Sequence, residues 1–442
     1  MSEAEDAADA GSASRSRWMV RLTARLTTPG APLAPFRHPA FRAIWTANLF
    51  SNIGSMIQSV GAAWLMTELT RSHVLIALVQ ASATIPIMLL GLFAGAIADN
   101  YDRRLVMIAA QTGMLLVSAL LAVLTYAGAI GPFALLALTL AVGAGTALNA
   151  PAWQASVRMQ VDPEDLPQAI SLGALSFNLA RTVGPALGGL LISLWNPQLA
   201  FAINAVSYLA MIAVLLRWKP PRSSPVRTPM LASIGQGIAY SQASPAIRKI
   251  LLRGLVFGFG VAGYQALLPS IARDRLHGDE IDYGLMLGAF GIGSVMVALW
   301  VSKWRRKFGA ETIVSVATVG FVVAQLGIAA ATNLAAALPA TFIAGASFVA
   351  AMTSLNVAMQ LRSPEPILGR CLSLYQAVTF GGMALGAWAW GGLADARGLP
   401  FTIHAAAAWL ALSLMLLRRF APMPRRDEGR LDDAVADPAG PT

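Results

Sequence analysis

Apolar residues along this chain come in long blocks that short polar segments separate. A stretch such as "MLLVSALLAVLTYAGAIGPFALLALTLAVGAG" is apolar on every side, unlike the one-sided helices on the surface of a soluble core. Blocks of about 20 apolar residues have the length that crosses a bilayer as an α-helix. The pattern therefore predicts twelve membrane-spanning helices, over residues 42–67, 73–98, 104–128, 131–155, 168–194, 198–217, 249–271, 283–303, 309–331, 333–357, 370–394 and 400–418.

The longest polar interruption, residues 217–249, divides the predicted spans six and six. The expected organisation is a disordered cytoplasmic tail, a six-helix bundle, a cytoplasmic linker, a second six-helix bundle and a second cytoplasmic tail, over 1–40, 41–217, 218–248, 249–419 and 420–442. Within the linker, Leu231, Ile234 and Ile238 recur at helical spacing. A short amphipathic helix on the membrane surface and a plain linker both explain this spacing.

The two halves of the chain repeat each other weakly. "LPQAISL" at 166–172 aligns with "LGRCLSL" at 368–374 at an offset of 202, which also aligns Gly189 with Gly391. A parallel duplication of a six-helix unit places a substrate site between the halves, near the middle of the bilayer. The predicted fold is an all-α polytopic membrane protein with 12 transmembrane helices in two pseudo-symmetric six-helix bundles.

Composition and charge support the membrane assignment. Hydrophobic residues make up 56% of the chain and charged residues only 12%, about half the charged share of soluble domains. Of the 32 Lys and Arg residues, 27 lie in the tails and the even-numbered connections between spans. The odd-numbered connections carry only four: Arg71, Arg273, Arg275 and Arg397.

Because basic connections stay in the cytoplasm, this distribution predicts a multi-pass protein of the cytoplasmic (inner) membrane with both termini inside. The net charge of +10 then reflects orientation and contacts with lipid headgroups. We therefore expect membrane lipids as partners and no binding of nucleic acid.

The sequence lacks the groups that an enzyme or a metal site needs. Its one cysteine, Cys371, excludes an intramolecular disulfide, and its four histidines have no metal-ligand spacing. No Gly-x-x-x-x-Gly-Lys-[Ser/Thr] loop is present, so the chain does not hydrolyse ATP itself. We predict no enzymatic activity, no metal and no cofactor.

A resemblance to a known family rests first on "GAIADNYDRR", which follows the second predicted span. The major facilitator superfamily carries Gly-x-x-x-Asp-Arg-x-Gly-Arg-Arg at this place. Four positions match that signature: Gly95, Asp99, Arg103 and Arg104. Two positions depart from it: Asn100 and Asp102.

A second motif and a longer similarity point in the same direction. "GPALGG" at 184–189 resembles the fifth-helix antiporter motif of the superfamily, although Ala180 stands where its leading glycine is expected. From Phe36 to Arg419 the chain resembles the enterobactin-exporter-like branch, the transmembrane secretion effectors. The resemblance implies two six-helix bundles and transport by alternating access.

The stretch after the second span also has a physical interpretation as a conformational latch. Gly95 leaves room for a neighbouring helix. Asp99 can accept hydrogen bonds from the N–H groups that begin the eleventh span, where a carboxylate gains about 0.3–1 kcal/mol. Arg103 and Arg104 can pair with Asp99, with Asp102 or with lipid phosphate. The alternative is that Asp99 only ends the helix and that the arginines only set orientation.

Arg181 is the only charged residue in the middle of a predicted span. An arginine at the bilayer centre costs about 2.5–3.5 kcal/mol, so it must face protein or a water-filled cavity. We predict that Arg181 contacts an anionic group of the cargo, with Asn178 one turn before it. The alternative is an arginine bonded to neighbouring carbonyls, which holds two helices together. A helix kink is predicted beyond it, at Gly184, Pro185, Gly188 and Gly189.

By the geometry of the superfamily, the first, fourth, seventh and tenth spans line the central cavity. Polar residues on these spans are candidate substrate contacts: Asn52, Gln58, Asn149, Gln265 and Asn356. The alternative for each is a hydrogen bond between helices, which contributes about 0.6 kcal/mol on average.

The predicted function is secondary active transport of a small molecule by alternating access. The branch resemblance and "GPALGG" favour export of siderophore-like or drug-like cargo, and the family adds protons as a candidate coupling ion. Acidic residues at span ends that could carry such a proton are Glu68, Asp99 and Asp395. Import, transport of lipids or lysolipids, scrambling and membrane sensing stay open as alternatives, and we expect a monomer.

Overall fold

The computed structural model of the chain describes residues 31–220, 230–364 and 367–423, and these parts are built of helices. The helices are α1 (Pro39–Leu69), α2 (His73–Asn100), α3 (Arg103–Tyr126), α4 (Pro132–Ser156), α5 (Leu166–Leu194), α6 (Pro197–Arg217), α7 (Met230–Ala243), α8 (Pro245–Gln265), α9 (Glu280–Phe308), α10 (Ala310–Ala330), α11 (Leu334–Arg362), α12 (Leu368–Arg397) and α13 (Leu399–Phe420). After α8, a short helical turn leads into the π-helical turn Ile271–Arg275. Most of the predicted tails, residues 1–30 and 424–442, lies outside the described residues.

A helix occupies each of the twelve predicted span positions, with ends that differ from the prediction by a few residues. Within the described residues, ten helices are long and apolar enough to cross a membrane. The other two, α1 and α12, have 31 and 30 residues, and polar residues such as Gln58 and Gln376 interrupt their apolar runs. The chain is an all-helical membrane protein with multiple spans.

Side-chain caps determine where several helices begin. The Ser72 hydroxyl accepts a hydrogen bond from the backbone N–H of Leu75 at the start of α2. The Asp102 carboxylate accepts one from the N–H of Arg104 at the start of α3, at 2.9 Å. Four other helices begin with a capping side chain: Asn196, Ser244, Asp279 and Asn333. Each cap satisfies an N–H group that has no acceptor inside its own helix.

Two sets of helices pack separately and then meet along two pairs. In the first set α1 packs on α5 and α6, α2 on α4, and α3 on α4 and α6. In the second set α9 packs on α11, α10 on α11 and α13, and α8 on α12 and α13. The sets meet where α2 lies along α12 and α5 lies along α9. We call the end of the molecule where α2 begins the His73 end, and the end where α3 begins the Arg103 end.

The predicted linker contains α7, which packs against α12 and α8. Ile238 on this helix is 37% exposed. The side chains of Leu231 and Ile234 lie outside the described ones. The placement of this helix on a membrane surface, and the domain bounds drawn from the sequence, stay predictions.

Candidate functional site

Arg181 lies on α5 where the first set of helices meets the second. Its guanidinium carbon is 5.5 Å from the ring centre of Phe290 on α9 and 5.2 Å from that of Phe348 on α11. Within the described part of the chain the guanidinium makes no hydrogen bond and no ion pair. A positive charge over aromatic faces gains about 0.5–2 kcal/mol, the upper value when it is desolvated. These rings hold the charge at the seam and leave its N–H donors available.

A second interior arginine, Arg253 on α8, shows the opposite arrangement. It is 2% exposed, and its Nη2 donates to Glu311 Oε1 at 3.0 Å. It also donates to the backbone carbonyls of Ala421 and Leu417, at 2.8 and 3.1 Å. Arg253 therefore holds α8, α10 and α13 together. The contrast indicates that Arg181 lacks the acceptors of an arginine whose role is to join helices.

A polar cavity of about 190 Å³ lies between the two sets of helices, near the His73 end. Of the predicted contact residues, Gln58 and Gln265 line it. Other polar residues that line it, among them Ser55, Gln80, Asn204 and Tyr283, were not among the predicted substrate contacts. Both sets of helices therefore contribute polar groups to one cavity.

Gln58 also connects three helices of the first set. Its Oε1 accepts from the Ser118 hydroxyl at 2.7 Å and from the Asn204 amide at 2.9 Å. The same Asn204 amide donates to the Tyr208 hydroxyl at 3.0 Å. This network is buried and joins α1, α3 and α6. Gln58 therefore both forms hydrogen bonds between helices and lines the cavity.

Four predicted contact residues do not line this cavity: Asn52, Asn149, Asn178 and Asn356. The Asn178 amide donates to the carbonyl of Ala174, one turn back on its own helix. Asn356 accepts from Gln360, also on its own helix, at 2.6 Å. The Asn149 side-chain oxygen is buried without a hydrogen-bond partner among the described residues. These asparagines thus do not share the cavity with Gln58 and Gln265.

The glycines beyond Arg181 lie where α5 contacts its neighbours. α5 continues without a break through Pro185. A Cβ at Gly184 would lie 2.5 Å from the Cβ of Met56, and a Cβ at Gly188 would lie 3.1 Å from that of Val60, both on α1. A Cβ at Gly189 would lie 2.6 Å from the carbonyl oxygen of Glu280 on α9. These positions allow α5 to pack closely on both sides.

The predicted latch arginines contact helix ends within the first set. Arg103 donates to the carbonyl of Ala155 at 3.4 Å, and Arg104 donates to those of Leu215 and Leu216 at 2.7 and 2.9 Å. No described carboxylate pairs with either arginine, and Asp102 caps α3 instead of binding them. The physical reason is that the last carbonyls of α4 and α6 have no intrahelical N–H partner and attract cationic donors.

Asp99 belongs to α2, and its side chain lies outside the described ones. No described atom of another helix lies within 4 Å of the place where a Cβ on Gly95 would stand. The same holds at Gly369, near the start of α12. At these two glycines, therefore, no described neighbour approaches closely.

At the His73 end the same two helices are in contact. Asp395 near the end of α12 accepts from the backbone N–H groups of His73 and Val74 at 2.6 and 3.3 Å, and from the Ser72 hydroxyl at 2.8 Å. This is a carboxylate at a helix N-terminus, the contact that sequence analysis assigned to Asp99. Here the contact lies between α2 and α12 at the opposite end.

The sequence itself carries a signal for this contact. Gly391 and Asp395 have the same four-residue spacing as Gly95 and Asp99. A Cβ at Gly391 would lie 2.8 Å from the Cα of Val74, so α12 approaches α2 as closely as backbone allows. α2 and α12 thus each carry, near the C-terminal end, a glycine that is followed four residues later by an aspartate.

Further contacts close the His73 end between α1 and α9. The Trp64 indole N–H donates to Glu280 at 3.0 Å, and its ring lies 6.1 Å from that of Tyr283. Arg273 on the π-helical turn donates to the carbonyl of Thr67. Together with the pairing of α2 and α12, these contacts close the molecule at this end.

Comparison with known proteins identifies the family of this chain. Residues 30–437 match the family described as transmembrane secretion effector. The chain is 28% identical over 405 residues to the enterobactin exporter EntS of Shigella boydii, covering 88% of this chain and 94% of that protein. It is 26% identical over 281 residues to the staphyloferrin A transporter of Staphylococcus aureus, covering 62% of this chain and 70% of that protein.

A solved structure with the same fold is that of a bacterial homologue of the human lysosomal transporter Spinster, in an inward-facing and unoccupied conformation. Its TM-score is 0.68 at 14% sequence identity, and the match covers 88% of this chain and 98% of that one. At this identity the similarity concerns the fold alone.

Proposed function

Because the chain belongs to the transmembrane secretion effector family of the major facilitator superfamily, we propose that it exports an anionic, siderophore-like small molecule by alternating access. In this proposal the twelve long helices form two six-helix bundles, over 41–217 and 249–419, joined by the linker 218–248. The cargo binds between the bundles, and each end of the path opens in turn. The protein works as a monomer in the cytoplasmic membrane.

The Arg103 end faces the cytoplasm in this proposal, because 27 of the 32 Lys and Arg residues lie in the tails and in the connections at that end. The closed His73 end then faces the outside. A reporter fused after Thr442 should be active in the cytoplasm, and one inserted at Asp279 should be active outside. The reverse pattern would contradict the orientation.

One observation supports an anionic cargo: the guanidinium of Arg181 lies where the two sets of helices meet and has no hydrogen-bond acceptor among the described residues. Its planar fork suits a carboxylate or a similar pair of oxygens, which it can bind through two parallel hydrogen bonds. Phe290 and Phe348 exclude water from one side of the charge. Placing an arginine in the membrane interior costs about 2.5–3.5 kcal/mol of insertion free energy. An anionic cargo that supplies the counter-charge would explain why the charge is there.

The size of the cavity constrains how the cargo binds. The polar cavity beside Gln58 and Gln265 holds about 190 Å³, and a drug-sized ligand needs about 300–1,000 Å³. We therefore infer that the cargo also occupies space toward the Arg103 end, where Arg181 would meet its anionic group. The names of the relatives that act on enterobactin and staphyloferrin A support a siderophore-like cargo.

Uptake into inside-out membrane vesicles tests both the cargo and the direction. We expect anionic catecholate or carboxylate siderophores to accumulate above the level in vesicles without the protein, and to do so faster with an acidic interior. A cationic dye serves as the cationic comparison, and a zwitterionic lysolipid serves as the neutral one. Accumulation of these instead of the anion would overturn the cargo class, and accumulation only in right-side-out vesicles would overturn export.

A further inference from the structure

One histidine lies between two carboxylates at the closed end. The ring Nδ1 of His73 is 2.9 Å from Asp395 Oδ1. Its Nε2 is 3.5 Å from Asp274 Oδ2 and makes no hydrogen bond to any described residue. His73 begins α2 in the first set of helices, whereas Asp395 and Asp274 belong to the second. The imidazole therefore bridges the two sets where they close.

The protonation state of the His73 imidazole depends on its position between these two carboxylates. A neutral imidazole has one N–H donor and one lone pair, and a protonated imidazole has two donors. Because both ring nitrogens of His73 face carboxylate oxygens, a neutral ring would direct its lone pair at one of them. Only the protonated ring presents an N–H to both Asp395 and Asp274. The closed arrangement thus favours the protonated form.

Other charged groups surround the ring. Asp274 is already bound by Arg273, whose Nε and Nη2 donate to its two oxygens at 2.6 and 3.0 Å. Arg71 and Arg275 line the same cavity of about 430 Å³ as His73, and Arg275 donates to the carbonyls of Ile328 and Ala329.

These arginines oppose a further positive charge, and Arg273 offsets part of the attraction of Asp274. Asp395 forms no ion pair with an arginine in the described part of the chain. Arg397, the other basic residue of this region, lies over the ring of Phe401 instead. Asp395 therefore provides the main attraction for a proton on His73.

We propose that His73 is a proton-binding site that controls the closure of the His73 end. Opening this end separates α2 from α12 and removes His73 from both carboxylates, so the proton is bound more tightly in the closed form. By linkage, a ligand that binds one conformation more tightly shifts the population toward it. Protonation from the compartment at this end stabilises closure, and deprotonation as pH rises releases it.

This proposal rests on the alternating access proposed above, and it is independent of the cargo. Histidine is the side chain whose charge ordinarily changes between pH 5 and 8, which sets the pH range over which the control is to be tested. In the proposed orientation, an acidic exterior would return the exporter to the form that loads cargo from the cytoplasm.

Distances between spin labels at the His73 end test the site directly. Ala129 and Thr332 are exposed in connections at this end, one in each set of helices, and both can be replaced by cysteine after Cys371→Ser. We expect the ratio of closed to open distances, in nanodiscs without cargo, to rise as pH falls from 8.5 to 5.5. A proton bound tenfold more tightly in the closed form shifts this ratio by up to about tenfold.

The variants separate His73 from other titrating groups. His73→Gln should abolish the pH response and favour the open form, and Asp395→Asn should shift closure to lower pH. The matched control is His277→Asn, because His277 is an exposed histidine at the same end with positive backbone φ, which asparagine tolerates. This control should keep the wild-type response.

Three results would overturn the proposal: no pH response in the wild type, an undiminished response in His73→Gln, or an equal loss in His277→Asn. Size-exclusion profiles in detergent confirm that each variant is folded before it is labelled. Because cargo is absent from the measurement, failure here leaves the transport proposal standing. Equally, failure to transport a siderophore in vesicles leaves the pH response of the distances unchanged.

Discussion

Replacing Arg181 with glutamine is expected to abolish transport of anionic cargo while the protein stays folded. A hydrogen bond to a charged group contributes about 1.5–3 kcal/mol, so its loss should weaken cargo binding roughly ten- to hundredfold. Arg181→Lys keeps the charge but loses the planar fork, and should retain part of the activity. The measurement is transport rate and cargo selectivity of purified variants in proteoliposomes, with melting temperature in detergent on the same samples.

The stability of these variants distinguishes a binding arginine from one that joins helices. Arg181 makes no hydrogen bond to a described residue, so Arg181→Gln and Arg181→Met should keep or raise the melting temperature, because they remove the cost of a charge in the interior. Arg253→Gln is the matched comparison. It leaves Glu311 without its partner and should destabilise the fold by about 3 kcal/mol or more. A destabilised Arg181→Gln with unaltered cargo selectivity would refute the anion site.

Adding one methyl group at Gly391 is expected to shift the protein toward the form that is open at the His73 end. The new Cβ would lie 2.8 Å from the Cα of Val74, and carbon atoms in contact need about 3.5–4.0 Å. α12 would have to move away from α2, which lengthens the hydrogen bonds from His73 and Val74 to Asp395. Overpacking of this kind costs about 1–3 kcal/mol, which changes the closed-to-open ratio roughly five- to 150-fold.

Gly392→Ala provides the matched control for this prediction. A Cβ at Gly392 would meet the nearest atom, Val74 Cγ2, at 3.8 Å, which is an ordinary contact. We expect wild-type label distances and transport from Gly392→Ala, and from Gly391→Ala a longer distance at the His73 end with transport reduced about tenfold. Wild-type behaviour of Gly391→Ala would show that the contact of α2 with α12 does not limit closure.

Several features of the protein follow from local sequence alone. The length of each apolar run determines where a helix can span the membrane, and helices occur at all twelve predicted positions. Capping residues such as Asp102 and Asn196 determine helix starts through contacts within four residues. Arg181 was identified because a charge inside an apolar run is costly whatever surrounds it. The motif after the second predicted span correctly indicated the superfamily.

Other features depended on which helices meet. The polar residues of the spans illustrate this, because Gln58 and Gln265 line one cavity while Asn178 and Asn356 bond to their own helices. A helix that is apolar on every side does not indicate which face meets which neighbour. The sequence therefore identified these side chains as polar groups in a membrane and could not assign their partners.

The sequence by itself determined the helices, the family and the charge of Arg181 in the middle of a span, since each depends on residues close together in the chain. Only the tertiary structure showed that the His73 end is closed and that Asp395 contacts the start of α2 there. The two sites share the spacing of a glycine and a carboxylate on paired helices, so the sequence treats them alike. Which helix start a carboxylate meets depends on the relative position of α2 and α12, and packing between residues far apart in the chain sets that position.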